Sequence, residues 1–336
     1  MKNIICSKKE KNGMSFILRC STVILGICLW ISFPSVSMGM STAPQTRFVS
    51  PEKAVSDLIT ALRGDDLQIL RSILGSDADE ILFSGDEVAD KQGRQKFLQR
   101  YDEQNRLIRE SGEKVILEIG KDGWPFPIPL LKDKTGWFFD TRSGKEEILN
   151  RRIGRNELDI IQTLLAIVDA QREYAMKDHD DDGLLEYAGK FESDPGMKNG
   201  LYWESSGPEG QSPLGPLLAR AREQQYIDKG SKETPQPYLG YFFRMLKKQG
   251  ADAAGGSFDY EVQSNMIGGF AVISYPAQYG NSGVMTFITS HDGVVYQKDL
   301  GPDTDKIANE MDLFNPDETW QKVEFHQQPE FHMPQN

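Results

Sequence analysis

Apolar positions keep a helical period in one stretch of the chain and a strand period in the next, and these switches set out the elements. Ser50-Pro51 supplies an N-cap followed by proline at the first helical position. Ala54, Val55, Leu58, Ile59 and Leu62 then recur at helical spacing. Gly64 stops that helix, and Asp65 or Asp66 can cap a second that carries Leu67, Leu70, Ile73 and Leu74. A third is expected from Arg94 to Arg109, on Phe97, Leu98, Tyr101 and Leu107. Val115 to Ile119 reads as extended. So does Trp124 to Leu130, whose alternate prolines fit a sheet edge and not a central strand. Lys132 to Gly136 turns the chain into Trp137-Phe138-Phe139.

A long helix is expected next, from Asn156 to Met176. Its apolar residues, among them Leu158, Ile160, Ile161, Leu164, Ile167 and Val168, cover roughly 200° of a helical wheel, twice the stripe of about 100° that one core requires. The economical reading gives one face to each of two lobes. Five strand-like runs follow: Tyr241 to Leu246, Phe258 to Val262, Phe270 to Tyr275, Val284 to Thr289 and Val294 to Lys298. Phe258, Tyr260 and Val262 alternate with Asp259 and Glu261, as in a half-buried strand. Phe270 to Tyr275 is apolar on both faces apart from Ser274 and belongs inside the sheet. The links are short and turn-rich, which forces antiparallel neighbours. A small helix near Asp303 to Leu313 should cover one side.

The fold class is therefore α+β. A helical N-terminal lobe with a small antiparallel sheet occupies residues 48–155. The central helix and an antiparallel meander occupy 156–326, and a tail occupies 327–336.

Residues 1–37 follow a different pattern. Lys2, Lys8, Lys9, Lys11 and Arg19 precede an apolar run from Cys20 to Phe33, and Ser35-Val36-Ser37 offers small residues for cleavage before Met38. That order is the build of a secretory signal. The run is shorter than the roughly 20 residues that span a bilayer, so no membrane span is expected after cleavage. All three cysteines (Cys6, Cys20, Cys28) lie in this segment, so the remainder carries neither thiol nor disulfide. The formal charge of the whole chain is −12. Without the five basic residues and one acidic residue of the signal, about −16 remains. Such a surface repels nucleic acid and anionic membranes and suits solubility, cations or basic partners.

The clearest candidate chemistry is an acidic loop. Asp178, Asp180, Asp182 and Gly183 form D-x-D-x-D-G, in which alternate carboxylates can turn inward around a calcium ion while glycine permits the turn. Glu186 falls at the ninth position, but the twelfth is Gly189, where an EF-hand carries a bidentate Glu. The metal candidates are therefore Asp178, Asp180, Asp182 and Glu186, with Ca2+ the only cofactor implied. The competing reading is a solvated acidic turn. His179, His291, His326 and His332 show no metal spacing. Gly280-Asn281-Ser282-Gly283 lacks the nucleophile-elbow spacing and reads as a turn. Arg151, Arg152 and Arg155 cluster just ahead of the expected helix. They should pair with carboxylates of the first lobe, with an anion site as the functional alternative. Tyr202-Trp203 and the stretch to Pro216 form a long loop that could shape a cleft.

Long, ungeneric strings place the chain among relatives. "IVDAQREYAMKDHDDDGLLE" (Ile167 to Glu186), "KNGLYWESSGPEGQSPLGPL" (Lys198 to Leu217) and "MIGGFAVISYPAQYGNSGVMTFI" (Met266 to Ile288) resemble a bacterial family of exported proteins, domain of unknown function family 2950. That resemblance implies a periplasmic or secreted address but no activity and no catalytic residues. The helix, acidic loop and meander also look like the globular heads of pilin-like proteins, without their N-terminal apolar stalk.

Three functional classes stay open. The leading one is a non-catalytic interaction or assembly module whose partner is an envelope protein or polymer. The others are a hydrolase of envelope polymers with a structural calcium loop, and a small-ligand binder using a cavity in the first lobe. A deep cleft with converging carboxylates would favour the hydrolase. An apolar cavity behind Trp124 and Trp137 would favour the binder. For the address, N-terminal sequencing of protein recovered from the envelope fraction is expected to begin between Met38 and Ser41; full-length chain in the cytosol would contradict export.

Overall fold

The computed structural model describes residues 44–204, 210–223 and 236–324, all within one compact unit, Thr42–Asn336. The expected signal segment, residues 205–209 of the Tyr202–Pro216 loop, and the tail with His326 and His332 lie outside the described residues. Four helices come first: α1 (Pro51–Arg63), α2 (Leu67–Leu74), α3 (Ala78–Leu82) and α4 (Glu87–Glu103). Strands β1 (Asn105–Arg109), β2 (Lys114–Ile119), β3 (Trp124–Pro125), β4 (Leu130–Asp133) and β5 (Gly136–Phe139) form an antiparallel sheet ordered β1-β2-β4-β5, with β3 against β2. After α5 (Thr141–Tyr174) and α6 (Gly215–Glu223) come β6 (Tyr241–Leu246), β7 (Lys248–Gln249), β8 (Phe258–Asp259), β9 (Ala271–Pro276), β10 (Met285–Ser290), β11 (Val295–Asp299), α7 (Thr304–Glu310) and β12 (Gln321–Lys322). The second antiparallel sheet is ordered β12-β11-β10-β9-β6, and β7 pairs with β8. The fold is α+β, with a long central helix.

Local chemistry sets the helix ends. Ser50 Oγ accepts the Lys53 amide (3.2 Å) with Pro51 opening α1, and Asp66 caps α2 through the amides of Gln68 and Ile69. The third long helix departs from its expected span. It starts at Glu87, where Asp86 Oδ1 accepts the Ala89 amide (2.9 Å), and stops at Glu103. Residues 105–109 become β1, with Leu107 opposite Leu117 in the ladder. The helical period at Leu107 is overridden because Asn105 Nδ2 closes the helix on the Tyr101 carbonyl. The Gly120 amide takes the carbonyls of Arg100 and Gln104.

Two separate apolar cores result. The first joins Leu58, Ile59, Leu70, Leu117, Ile128 and Phe139. The second joins Ile160, Leu164, Ile167, Tyr241, Phe270 and Phe287. β9 is buried along its whole length, as an apolar run without alternation requires, and α7 packs across it. The expected strand over Phe258–Val262 shrinks to two residues. Beyond it the chain reverses at Gln263 and Ser264, both in the left-handed region (φ 51° and 75°), and Val262 pairs back with Asn265 instead of extending the ladder.

Helix α5 begins fifteen residues before the expected Asn156. Residues 142–155 are too polar to show a period, and docking holds them instead. Thr141 Oγ1 donates to the Leu74 carbonyl (2.6 Å) and Lys145 pairs with Glu80 (2.6 Å). At Gly144 a Cβ would lie 2.5 Å from the Pro127 carbonyl oxygen, so only glycine permits the approach. The lobes therefore share α5 end to end and not face to face. Ile148 packs on the first core, whereas the buried apolar residues from Ile160 to Tyr174 all belong to the second. These buried positions still span roughly 180° of the wheel at 3.6 residues per turn. The sheet covers part of that arc. The segment after the acidic loop covers the rest, where Gln171 exchanges two 2.9 Å hydrogen bonds with the Ala188 backbone. Leu158, counted in the expected arc, is 67 % exposed.

Polar groups far apart in sequence tie the lobes together. Asp86 Oδ2 accepts the Gly240 amide (2.7 Å), Asn156 Nδ2 donates to the Ser282 carbonyl (2.9 Å), and Asn281 Nδ2 donates to the Phe83 carbonyl (2.8 Å). Asp86 serves twice, as a helix cap and as an inter-lobe acceptor. Asp86→Ala should therefore cost about 2–4 kcal/mol, combining a lost cap with a buried amide left unpaired. Because α5 runs through both cores, calorimetry should give one transition; two resolved transitions would contradict the shared helix.

Candidate functional site

The first core is incompletely filled. A cavity of about 450 Å³ lies between α1, α2, α4, β2 and α5, within the size range of small-molecule sites. Leu58, Leu62, Leu70, Ile119, Phe126 and Ile148 supply apolar wall. The roof is α4, and its composition explains the space. No residue of α4 is fully buried. Ala89, Gly93 and Phe97, spaced four apart on one helical face, line the cavity. A Cβ on Gly93 would meet nothing within 4 Å. Phe97 reaches down, edge-on to Phe126 at 5.1 Å.

The mouth is basic. Arg94, Lys96, Arg100, Arg151, Arg152 and Arg155 line the cavity with only two carboxylates, Asp90 and Asp122. The Trp124 ring stands between the guanidinium groups of Arg100 (5.9 Å) and Arg151 (5.5 Å). Arg94 pairs with Asp65, Arg100 with Asp122, and Arg151 with Glu147 of its own helix. Arg152 donates to the carbonyls of Glu80 and Ile81 and to Asn281 Oδ1. Burial pushes the Arg152 guanidinium pKa down; Asp90 opposes that shift and Arg155 adds to it. Burial pushes the Asp90 carboxyl up, against the Ser84 amide that donates to it at 2.8 Å.

The three arginines expected ahead of the helix thus lie within it, and their expected pairing with first-lobe carboxylates forms in part, Arg151 with Glu147. Only Asp90 approaches Arg152, and Arg155 makes no hydrogen bond or ion pair among the described residues. Trp137 is buried against Phe48 and does not line the cavity, whereas Trp124 does. Arg94, Arg100 and Asp90 were not singled out from sequence. The available signal was a polar helix with small residues four apart.

The acidic loop lies in the other lobe, just beyond α5. Carboxylate oxygens of Asp178, Asp180 and Asp182 come within 4.8 Å of one another. Backbone amides already use several of them. Asp178 accepts from the amides of Gly183 and Asp181 (both 2.8 Å), which holds its pKa below the ordinary value. Asp182 accepts from the Leu184 amide (2.8 Å) and Asn265 Nδ2 (2.9 Å). Glu186 stands outside this group, its Oε2 taken by the Met266 amide (3.0 Å). Burial first, then the three aspartates, push its carboxyl up. His179 turns inward, stacked on Tyr174 at 4.2 Å and tilted against Trp203 at 5.3 Å. Ser282 is buried in its turn, with Oγ accepting the Gln278 amide (2.9 Å).

Together these features define an α+β protein with two cores, a basic-mouthed apolar cavity in one lobe and an acidic loop in the other. Residues 45–323 match the family described as protein of unknown function (DUF2950), and the chain belongs to that family. No curated protein and no solved structure matches it. Among the described residues no helix is long and apolar enough to cross a membrane.

Proposed function

We propose that the protein is an exported, non-catalytic binding protein of the bacterial cell envelope, whose N-terminal lobe takes a small apolar molecule. The observation that carries this reading is the cavity. Its wall is aliphatic and aromatic, and its roof helix presents only Ala89 and the exposed Gly93 along the line that leads to Phe97. Ligand sites are typically apolar with a few placed polar groups. The hydrolase alternative draws less support, because both carboxylates at the cavity are engaged, Asp122 by Arg100 and Asp90 by the Ser84 amide. An assembly role remains compatible with the binder, but no described surface identifies its partner.

A neutral solvatochromic dye such as Nile red should gain fluorescence on the purified protein. Gly93→Leu should abolish that gain by filling the mouth, while raising helix stability by up to about 1 kcal/mol. An unchanged dye response in the folded variant would refute the cavity as the binding site.

For the acidic loop we propose weak calcium binding by Asp178, Asp180 and Asp182, with Glu186 turning in to complete the set. The proximity of the three carboxylates supports it. Calcium in the millimolar range should then raise the melting temperature through ligand linkage. Asp180→Ala with Asp182→Ala should remove the rise. Identical melting in calcium and in chelator would leave a solvated turn as the account of the loop.

A further inference from the structure

We propose that the cavity selects an amphipathic anion: a molecule whose carboxylate or phosphate head meets Arg152 and Arg155 at the mouth while its apolar body enters under α4. This rests on the reading of the cavity as a ligand site, and the mouth adds the charge of the ligand.

Each ion pair at the mouth can be assigned, and two cations are left over. Arg94, Arg100 and Arg151 have carboxylate partners in Asp65, Asp122 and Glu147. Asp90 is the one carboxylate that acts on Arg152. Arg155 and Lys96 make no ion pair among the described residues. Such an excess is out of character for a chain of formal charge −12, so it is local to this mouth. Arg152 and Arg155 lie three apart on α5, where like charges face each other and disfavour the helix. Burial of Arg152 beside an apolar wall adds a desolvation cost that an anion would offset.

The donors are also available. Arg152 spends Nη1 and part of Nη2 on Glu80, Ile81 and Asn281. Of the five N–H groups of a guanidinium, Nε–H and one Nη2–H remain, on the edge that two oxygens of one anion can meet. The carbonyl bonds hold that edge still. Trp124, flanked by Arg100 and Arg151, gives the head group an aromatic side wall. A cationic amphiphile would meet repulsion, and a neutral one would leave the surplus charge uncompensated.

The test compares four probes below their micellar concentrations: dodecanoate, dodecyl phosphate, dodecanol and dodecyltrimethylammonium. Titration would be followed by calorimetry and by tryptophan fluorescence. At least one of the two anions should bind about tenfold or more tightly than the alcohol, the scale of one charge-assisted hydrogen bond. The stronger anion identifies the head group, and the cation should bind more weakly than the alcohol. Arg155→Gln, at an exposed position without a partner, should fold normally and weaken the anion about tenfold while leaving the alcohol unchanged. Arg152→Lys, which keeps charge but loses the fork, should weaken the anion as well. Equal binding of alcohol and anions, or an Arg155→Gln loss shared by both, overturns the anion proposal and leaves the apolar cavity standing. Failure of all four probes overturns the cavity reading itself.

Discussion

The structure depends on one continuous helix having two employers. The first half of α5 is polar and would not hold a helix by its own amphipathicity. It persists because Thr141, Gly144 and Lys145 dock it on the first lobe. The second half is apolar over a wide arc and is buried in the second core. A rigid rod across the boundary fixes what either side can do. It brings Arg152 and Asn156 to a point where both lobes are within reach, and it closes one side of a cavity that the first lobe alone does not seal.

Much of this was legible in the sequence, and the exceptions share a cause. α1, α2, β2, β6 and β9 to β11 appear where periodicity puts them, because each buries one regular face or two. α4 and the start of α5 did not, since their positions are decided by partners distant in sequence. Asp86 caps α4 through a local bond to Ala89, but its second role, as acceptor of the Gly240 amide, is set by a residue 154 positions away. The run of Leu107 looked helical until β2 recruited it. The site divides the same way. Asp178, Asp180 and Asp182 were visible as a spacing, and they do converge. The basic mouth needed three elements to meet, so only its contribution from α5 showed in one stretch of sequence.

The cavity has a price in stability. Interiors normally pack to crystal-like density, and an unfilled first core forgoes dispersion contacts on every wall. Gly93 adds about 1 kcal/mol relative to alanine in a helix interior. Nothing in the α+β fold requires either concession, since a larger side chain at Gly93 would meet open space. The space therefore belongs to the first lobe's own side chains and not to a demand of the fold.

The inter-lobe bonds also set an order of events as the chain is made. Gly240 follows Asp86 by 154 residues, and Asn281 follows Phe83 by 198. A polypeptide emerging N-terminus first has α1 to α5 in hand long before those partners arrive. Until they do, α4 lacks its second anchor, Arg152 lacks the Asn281 carbonyl, and the half-built roof leaves apolar wall open to water. The N-terminal lobe is therefore synthesised before the second lobe and completed only with it. During that interval it is the segment most exposed to proteases and most in need of a chaperone's cover.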